Sequence, residues 1–397
     1  MLGKLHRYVL WEVLRLFIIS LAVVTSVIMA GVIVQRLVAE GLGILAIIQL
    51  LPYGLPIALQ YALPATLLFS VCSVFGRMAA ENEIVAIKGS GVSPLRVMTP
   101  VLFLALLLSP VAVWLNDLAM SWGEPGMNRV VLYSIEEIVY RVLKRDKSYR
   151  SQGGFEIAVK DIEDRWLLSP VITIRSPGGS SHQTLSAERA KLRLNPQRET
   201  LSIELVDYQL VQGPKLRFSD KDRHVLEFPL HKAARKSARA NRPSQLPLSQ
   251  IGGEISREKT HFRRQQEQLV ARCAMGLSIG RQSLFDDATA EKCRSDQARS
   301  RRRLHRLHTE PWRRWALGFS CFFFVWFGLP LAIWMRSADY ATTFGACFFP
   351  ILAIYYPIFG MGLDRAKDGA WPPYSVWICN VVMLVLGSVL VRKAYRH

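Results

Sequence analysis

From Ile44 to Gly76 the chain carries no charged residue, and from Leu95 to Leu115 it carries only Arg96. A hydrocarbon core ~30 Å thick is crossed by about 20 apolar residues at 1.5 Å each. Both runs meet that length, and a backbone in lipid must satisfy its own polar groups, as a helix does. The two runs therefore predict membrane spans. The stretch between them, RMAAENEIVAIKGSGVSP from Arg77 to Pro94, is a loop at one membrane face. Arg77, Lys88 and Arg96 put that face in the cytoplasm by the positive-inside rule. Its centre, Glu81 to Lys88, predicts a short amphipathic helix with Ile84, Val85 and Ile87 as its apolar stripe. Gly89 and Gly91 stop that helix and Pro94 starts the next. A short helix pinned between two spans is a surface for a soluble partner.

Four further runs of the same kind give six spans: Trp11 to Val38, Ile44 to Gly76, Leu95 to Leu115, Trp315 to Met335, Ala341 to Leu363 and Tyr374 to Val391. Pro52, Pro56 and Pro64 are expected to kink the second. Lys4, Arg7, Arg77, Arg336, Arg392, Lys393 and Arg396 fall on one side, so both termini are expected in the cytoplasm. The start, MLGKLHRYVLWEVLRL, shows no small-residue cleavage site and reads as the approach to a retained first span. The 397 residues are 50% apolar yet 20% charged, which calls for a sizeable water-exposed domain beside the spans. The net charge of +19 lies mainly outside the spans and favours anionic partners. The sequence holds no DNA- or RNA-binding module, so membrane lipid is favoured over nucleic acid.

The long polar region between spans three and four is expected on the opposite face. Asn116 to Val142 reads as an amphipathic connector. From Gln152 to Leu230, short alternating runs are separated by Gly153-Gly154, Pro177-Gly178-Gly179, Asn195-Pro196 and Gly213-Pro214. That spacing predicts an all-β sandwich or open jelly roll, with Ile157, Val159, Ile172, Ile174, Ile203 and Leu205 facing inward. His231 to Pro247 reads as an exposed loop. Ser256 to Leu307 predicts a charged helical hairpin with a break at Gly276 to Gly280, and its RSRRR run (Arg299 to Arg303) reads as a solvated face. Cys72, Cys321, Cys347 and Cys379 fall in apolar runs and read as small hydrophobes. Cys273 and Cys293 read either as a disulfide across the hairpin or as two free thiols.

Several local stretches carry a resemblance. LHRYVLWEVLRLF, with Arg7, Tyr8 and Glu12, the proline-rich start of span two, and RMAAENEIVAIKGSGVS are three of them. LPLSQI (Leu246 to Ile251), LHTEPWRRWAL with Glu310 and Arg314, and PPYSVWICN (Pro372 to Asn380) follow in order. Together they resemble the LptF/LptG permease family, which exports lipopolysaccharide. The resemblance covers nearly the whole chain, and the long charged hairpin departs from it. It implies residues 1–122 as spans one to three with a cytoplasmic coupling helix at 78–93, and residues 123–254 as a periplasmic β-jellyroll. Residues 255–310 are the hairpin, and 311–397 are spans four to six.

The resemblance further implies a permease driven by a separate cytoplasmic ABC ATPase dimer. The chain has no GxxxxGK[ST] stretch to cradle ATP phosphates, in keeping with that. Glu81 and Glu83 would pair with cations of the ATPase, Ile84 and Ile87 would seat in its groove, and Gly89 and Gly91 close the segment. The cargo would be lipopolysaccharide, with Val27 and Val34 as apolar wall and Arg36 toward its phosphates. Arg36 equally reads as an interfacial arginine that reaches water along its stem. Arg313 and Arg314 carry the same two readings, and Glu310 offers a helical ion pair. Further implied partners are a second LptF/LptG-type permease and a periplasmic jellyroll bridge protein. No Ser-His-Asp set, paired carboxylates or metal-ligand spacing appears, so no catalytic residue, metal or cofactor is expected. A membrane scaffold, a lipid-modifying enzyme and an exporter of another lipid or lipoprotein are the competing readings.

Overall fold

The computed structural model describes residues 2–40, 44–150, 155–163, 166–175, 182–195, 200–212, 216–220, 224–229, 242–279, 287–335 and 340–396. Among the described residues, six helical segments are long and apolar enough to cross a membrane: Gly3–Gln35, Ala46–Ala80, Leu95–Val131, Arg294–Met335, Thr342–Lys367 and Pro373–Lys393. The chain is a helical membrane protein with a β domain. Its contacts divide it into two compact units, one of residues 1–29, 55–123 and 243–397, the other of residues 30–54 and 124–242.

The first unit is the helical bundle. Helix α1 (Leu2–Glu40) leads to α2 (Ile44–Ala80), the short α3 (Glu83–Gly89) and α4 (Pro94–Leu118). Helix α2 runs through Pro52, Pro56 and Pro64 without interruption. Its Thr66 and Ser70 donate to the Ala62 and Thr66 carbonyls at 2.8 and 2.6 Å, which satisfies both hydroxyls inside the bundle. Leu67, Leu68, Val71 and Phe75 of α2 meet Val97 and Val101 of α4 in one buried cluster. Cys321, Phe324 and Val325 from farther along the chain join it. The four cysteines of the apolar runs are buried free thiols. One close helix crossing uses a small residue, as membrane interfaces do. A Cβ on Gly318 would overlap Val113 Cγ2 and stand 2.7 Å from the Val113 backbone nitrogen.

Beyond Leu118, α4 passes through a π-helical turn, Ala119–Gly123, into α5 (Glu124–Asp146), so the expected connector is helix throughout. The hairpin is a pair of helices, α6 (Leu248–Ile279) and α7 (Asp287–Met335). Arg303 of α7 reaches Glu254 at 3.9 Å and Glu258 at 3.5 Å on α6. Two features differ from the sequence reading. Helix α6 begins at Leu248, ahead of Ser256, and α7 does not stop before the fourth span. It continues through Pro311 and Arg314 to Met335 as one helix. Proline fits there because its missing N–H frees only one carbonyl, a modest defect in a packed helix. The break expected from Gly276 is not there, since helix α6 runs on to Ile279; Gly280 and the side chains of Cys273 and Cys293 lie outside the described residues. The bundle closes with α8 (Tyr340–Pro350), a π-helical stretch to Tyr355, α9 (Tyr356–Lys367) and α10 (Ile378–Arg396). Lys393 Nζ stands 4.8 Å above the Trp334 ring, so the ends of α7 and α10 meet.

The β domain is one curled antiparallel sheet. Its strands are β1 (Ser148–Arg150), β2 (Phe155–Ala158), β3 (Asp161–Glu163), β4 (Trp166–Leu168), β5 (Val171–Arg175), β6 (His182–Asn195), β7 (Thr200–Gln212), β8 (Leu216–Asp220) and β9 (His224–Pro229). The long pair β6–β7 is the spine. Strand β6 holds β5 along its first half and β4 along its second, while β7 holds β9 and then β8. Leu185 and Ala187 are buried before the middle of β6, Ala190 and Leu192 after it. On β7, Ile203 and Leu205 are buried and Tyr208 is partly so. Residues of one face alternate with period two, so the buried face switches parity at Glu188 and Asp207. Asp207 has φ 49° there, and the bend keeps one apolar face inward while the sheet curls. Ile157, Val159, Ile172, Ile203 and Leu205 are buried as expected, against Val139 and Leu143 of α5. Ile174's side chain, the loop after β9 up to Asn241, Pro196 and the expected turn stretches Gly153-Gly154, Pro177 to Gly179 and Gly213-Pro214 lie outside the described residues.

Candidate functional site

The turn between α2 and α4 is built by three local choices. Asn82 takes φ 58°, a left-handed conformation that asparagine adopts more readily than most residues, and so separates α3 from α2. Gly91 takes φ 81° after α3, where a side chain would be strained. Pro94 then opens α4 behind the extended Ser93. Of the two glycines singled out by sequence, only Gly91 uses a glycine conformation; Gly89 is the last helical residue.

The faces of α3 divide differently from the sequence expectation. Ile84 is buried in the core cluster of its own bundle, and Ile87 packs against that cluster. The isoleucines read as a docking stripe thus hold α3 to the spans, because an apolar stripe beside a large core is buried there first. Glu81, Val85, Ala86, Lys88 and Gly89 face outward, and Val85 is the large apolar residue left exposed. Arg77 at the end of α2 anchors the corner. Its guanidinium is ion-paired with Glu12 of α1 and reaches Glu81 at 3.4 Å. The Tyr8 side chain interacts with the same guanidinium. Burial holds the Glu83 carboxyl above the usual range; Arg77 opposes the shift, while Glu81 and Glu12 add to it. The Glu12–Arg77 pair escaped sequence reading, though a charge within a span calls for a partner nearby.

A second charged centre lies at the other end of the bundle. The Arg314 side chain is fully buried, ion-paired with Asp117 of α4. Arg314 Nη2 donates to the Ser244 and Leu246 carbonyls at 2.8 and 2.7 Å. Asp117 Oδ1 also accepts from the Leu248 N–H at 3.0 Å, which caps the first turn of α6. Asn380 Nδ2 donates to the Ala316 carbonyl at 3.1 Å. Arg313 is buried too, its Nε 2.9 Å from Glu310 Oε2. Neither arginine turns its guanidinium outward, so the geometry favours the helical ion pair and a structural bond over contact with a lipid phosphate. Val27 and Val34 are exposed, 66% and 57% respectively. The side chain of Arg36 lies outside the described residues. Among the described residues no group of three His, Cys, Asp or Glu is placed to hold a metal ion.

A sequence profile for the lipopolysaccharide export system permease LptF/LptG matches residues 7–393. The chain belongs to the LptF/LptG family. It is thus a transmembrane permease of lipopolysaccharide transport, a multi-pass protein of the inner membrane and a member of a transport family rather than of an enzyme family. A search of curated proteins found no match. The stretches that carried the LptF/LptG resemblance now have positions. Tyr8 and Glu12 meet Arg77 in the first centre. Leu246, Glu310, Arg314 and Asn380 gather in the second. Asp117 completes that second centre and was not singled out by sequence.

Proposed function

We propose that this chain is one permease subunit of an ABC exporter that extracts lipopolysaccharide from the inner membrane and passes it to a periplasmic jellyroll bridge protein. A separate cytoplasmic ATPase dimer supplies the work, and a second LptF/LptG-type permease completes the pore. The observation that carries this reading is α3, clamped to the spans by Ile84 and beside the Glu12–Arg77 pair, with Glu81, Val85 and Lys88 turned outward. A helix clamped in this way moves with the spans, so a push on its outer face reaches α1, α2 and α4.

In this reading both termini and α3 are cytoplasmic, as the basic ends require, and the β domain is a periplasmic jellyroll. Glu81 and Glu83 offer charge to the ATPase and Val85 the apolar contact, while Gly89 and Gly91 shape the turn. Val27 and Val34 form the apolar wall for the cargo, with Arg36 toward its phosphates. Arg313 and Arg314 hold the outer end of the bundle together. The test is co-purification in mild detergent with the ATPase co-expressed. Glu81→Lys and Val85→Asp should each lower the recovered ATPase about tenfold while the permease stays inserted and monodisperse. Unchanged ATPase recovery with both variants overturns the proposal.

A further inference from the structure

A cleft of about 350 Å³ opens between α1 and α2, beside the Glu12–Arg77 pair. Its lining from α1 is Glu12, Arg15, Leu16 and Ile19, which share one helical face by spacing. From α2 it takes Phe69, Ser73, Val74 and Arg77. The size falls within the ~300–1,000 Å³ of small-molecule pockets. Three polar features of the lining are left over. Thr66, Ser70 and Ser109 return their hydroxyls to their own helices, whereas the Ser73 hydroxyl has no partner among the described residues although the residue is 98% buried. Glu12 Oε2 is buried and likewise unpartnered, its other oxygen being the one on Arg77. Arg15 is exposed and has no ion pair among the described residues. A buried polar atom without a hydrogen bond is costly, so such atoms in a cleft point to a ligand that supplies it.

The spare groups are one cation, one hydroxyl and one carboxylate oxygen, beside an apolar wall. We infer that the cleft binds a phospholipid with a phosphoethanolamine headgroup, its phosphate on Arg15 and Ser73, its ammonium on Glu12 Oε2 and an acyl chain along Leu16, Ile19, Phe69 and Val74. Arg77 is already engaged by Glu12 and Glu81 and is not the phosphate's cation. A free phosphate would leave the wall and the carboxylate unused. A choline headgroup carries the same phosphate but no N–H to donate, and a glycerol headgroup carries no cation. The bound lipid sits against the pair that anchors α3, so its presence bears on that corner. That it comes from the cytoplasmic leaflet rests on the orientation proposed above.

The experiment uses the full chain, reconstituted with equal parts of phosphatidylethanolamine, phosphatidylcholine and phosphatidylglycerol, then stripped in mild detergent and read by native mass spectrometry. One ethanolamine lipid should be retained about tenfold over the other two. Arg15→Gln should lower that retention about tenfold, and Ser73→Leu, which fills the cleft, should abolish it. Glu12→Gln should equalise ethanolamine and choline lipids. Retention in proportion to the mixture, unaltered retention in Arg15→Gln, or preferential retention of added lipopolysaccharide overturns the inference. A Lys88→Cys probe labelled only from the cytoplasmic side checks the orientation separately.

Discussion

Replacing Asp117 with alanine tests what holds the end of the bundle around Arg314. Removing one partner of a buried ion pair costs about 3–5 kcal/mol, because the remaining charge stays buried and unpaired. The Arg314 side chain is fully buried, but Asp117 is 23% exposed, so the low end, about 3 kcal/mol, applies. The Leu248 N–H loses its acceptor as well, which adds about 1 kcal/mol for a lost helix cap. Together these amount to about 4 kcal/mol, or about three orders of magnitude in a local opening equilibrium. Hydrogen exchange of the purified protein should show that loss of protection in the first turn of α6, with a lower Tm. The double variant Asp117→Leu, Arg314→Met removes both charges and should lose much less than the sum of its single changes. Wild-type exchange in Asp117→Ala, or strict additivity in the double variant, would refute the reasoning.

Three further outcomes are expected. Because burial raises the Glu83 carboxyl in the docked helix, the docked form binds its proton more tightly than an undocked one. Docking of α3 is therefore strongest below the ordinary glutamate value, ~4.3, and weakens as pH rises through the raised one. A spin label at Val85→Cys should gain mobility as pH rises past the raised Glu83 value, and Glu83→Gln should remove that dependence. Gly91→Ala forces a side chain into φ 81° and should destabilise the turn by about 1–2 kcal/mol, read as faster proteolysis between α3 and α4. Gly318→Ala drives a methyl into Val113 and its backbone and should cost about 1–3 kcal/mol in thermal unfolding, while Gly345→Ala, which meets nothing within 4 Å, should not.

The spans, the short helix and the inward strand residues were legible because hydropathy and period report burial directly. Hydropathy does not report which neighbour does the burying. It marked Ile84 and Ile87 as apolar but could not say that their own bundle would cover them and leave Val85 outside. It placed span four at Trp315, where charge ends, although the backbone of α7 is continuous from Asp287. Asp117 looked like one polar residue at a span's end; its role depends on Arg314 and Leu248, far along the chain. The parity switch at Glu188 and Asp207 was hidden for a related reason, since alternation on either side of it is regular.

The continuity of α7 has a mechanical corollary. Its 49 residues make a rod of about 73 Å at 1.5 Å each. Arg314 is tied to Asp117 part-way along, which leaves arms of about 40 Å toward Asp287 and about 32 Å toward Met335. If that tie acts as a fulcrum, the rod is a see-saw. Any tilt imposed at Met335 appears at the far tip in the opposite sense, enlarged by about a quarter.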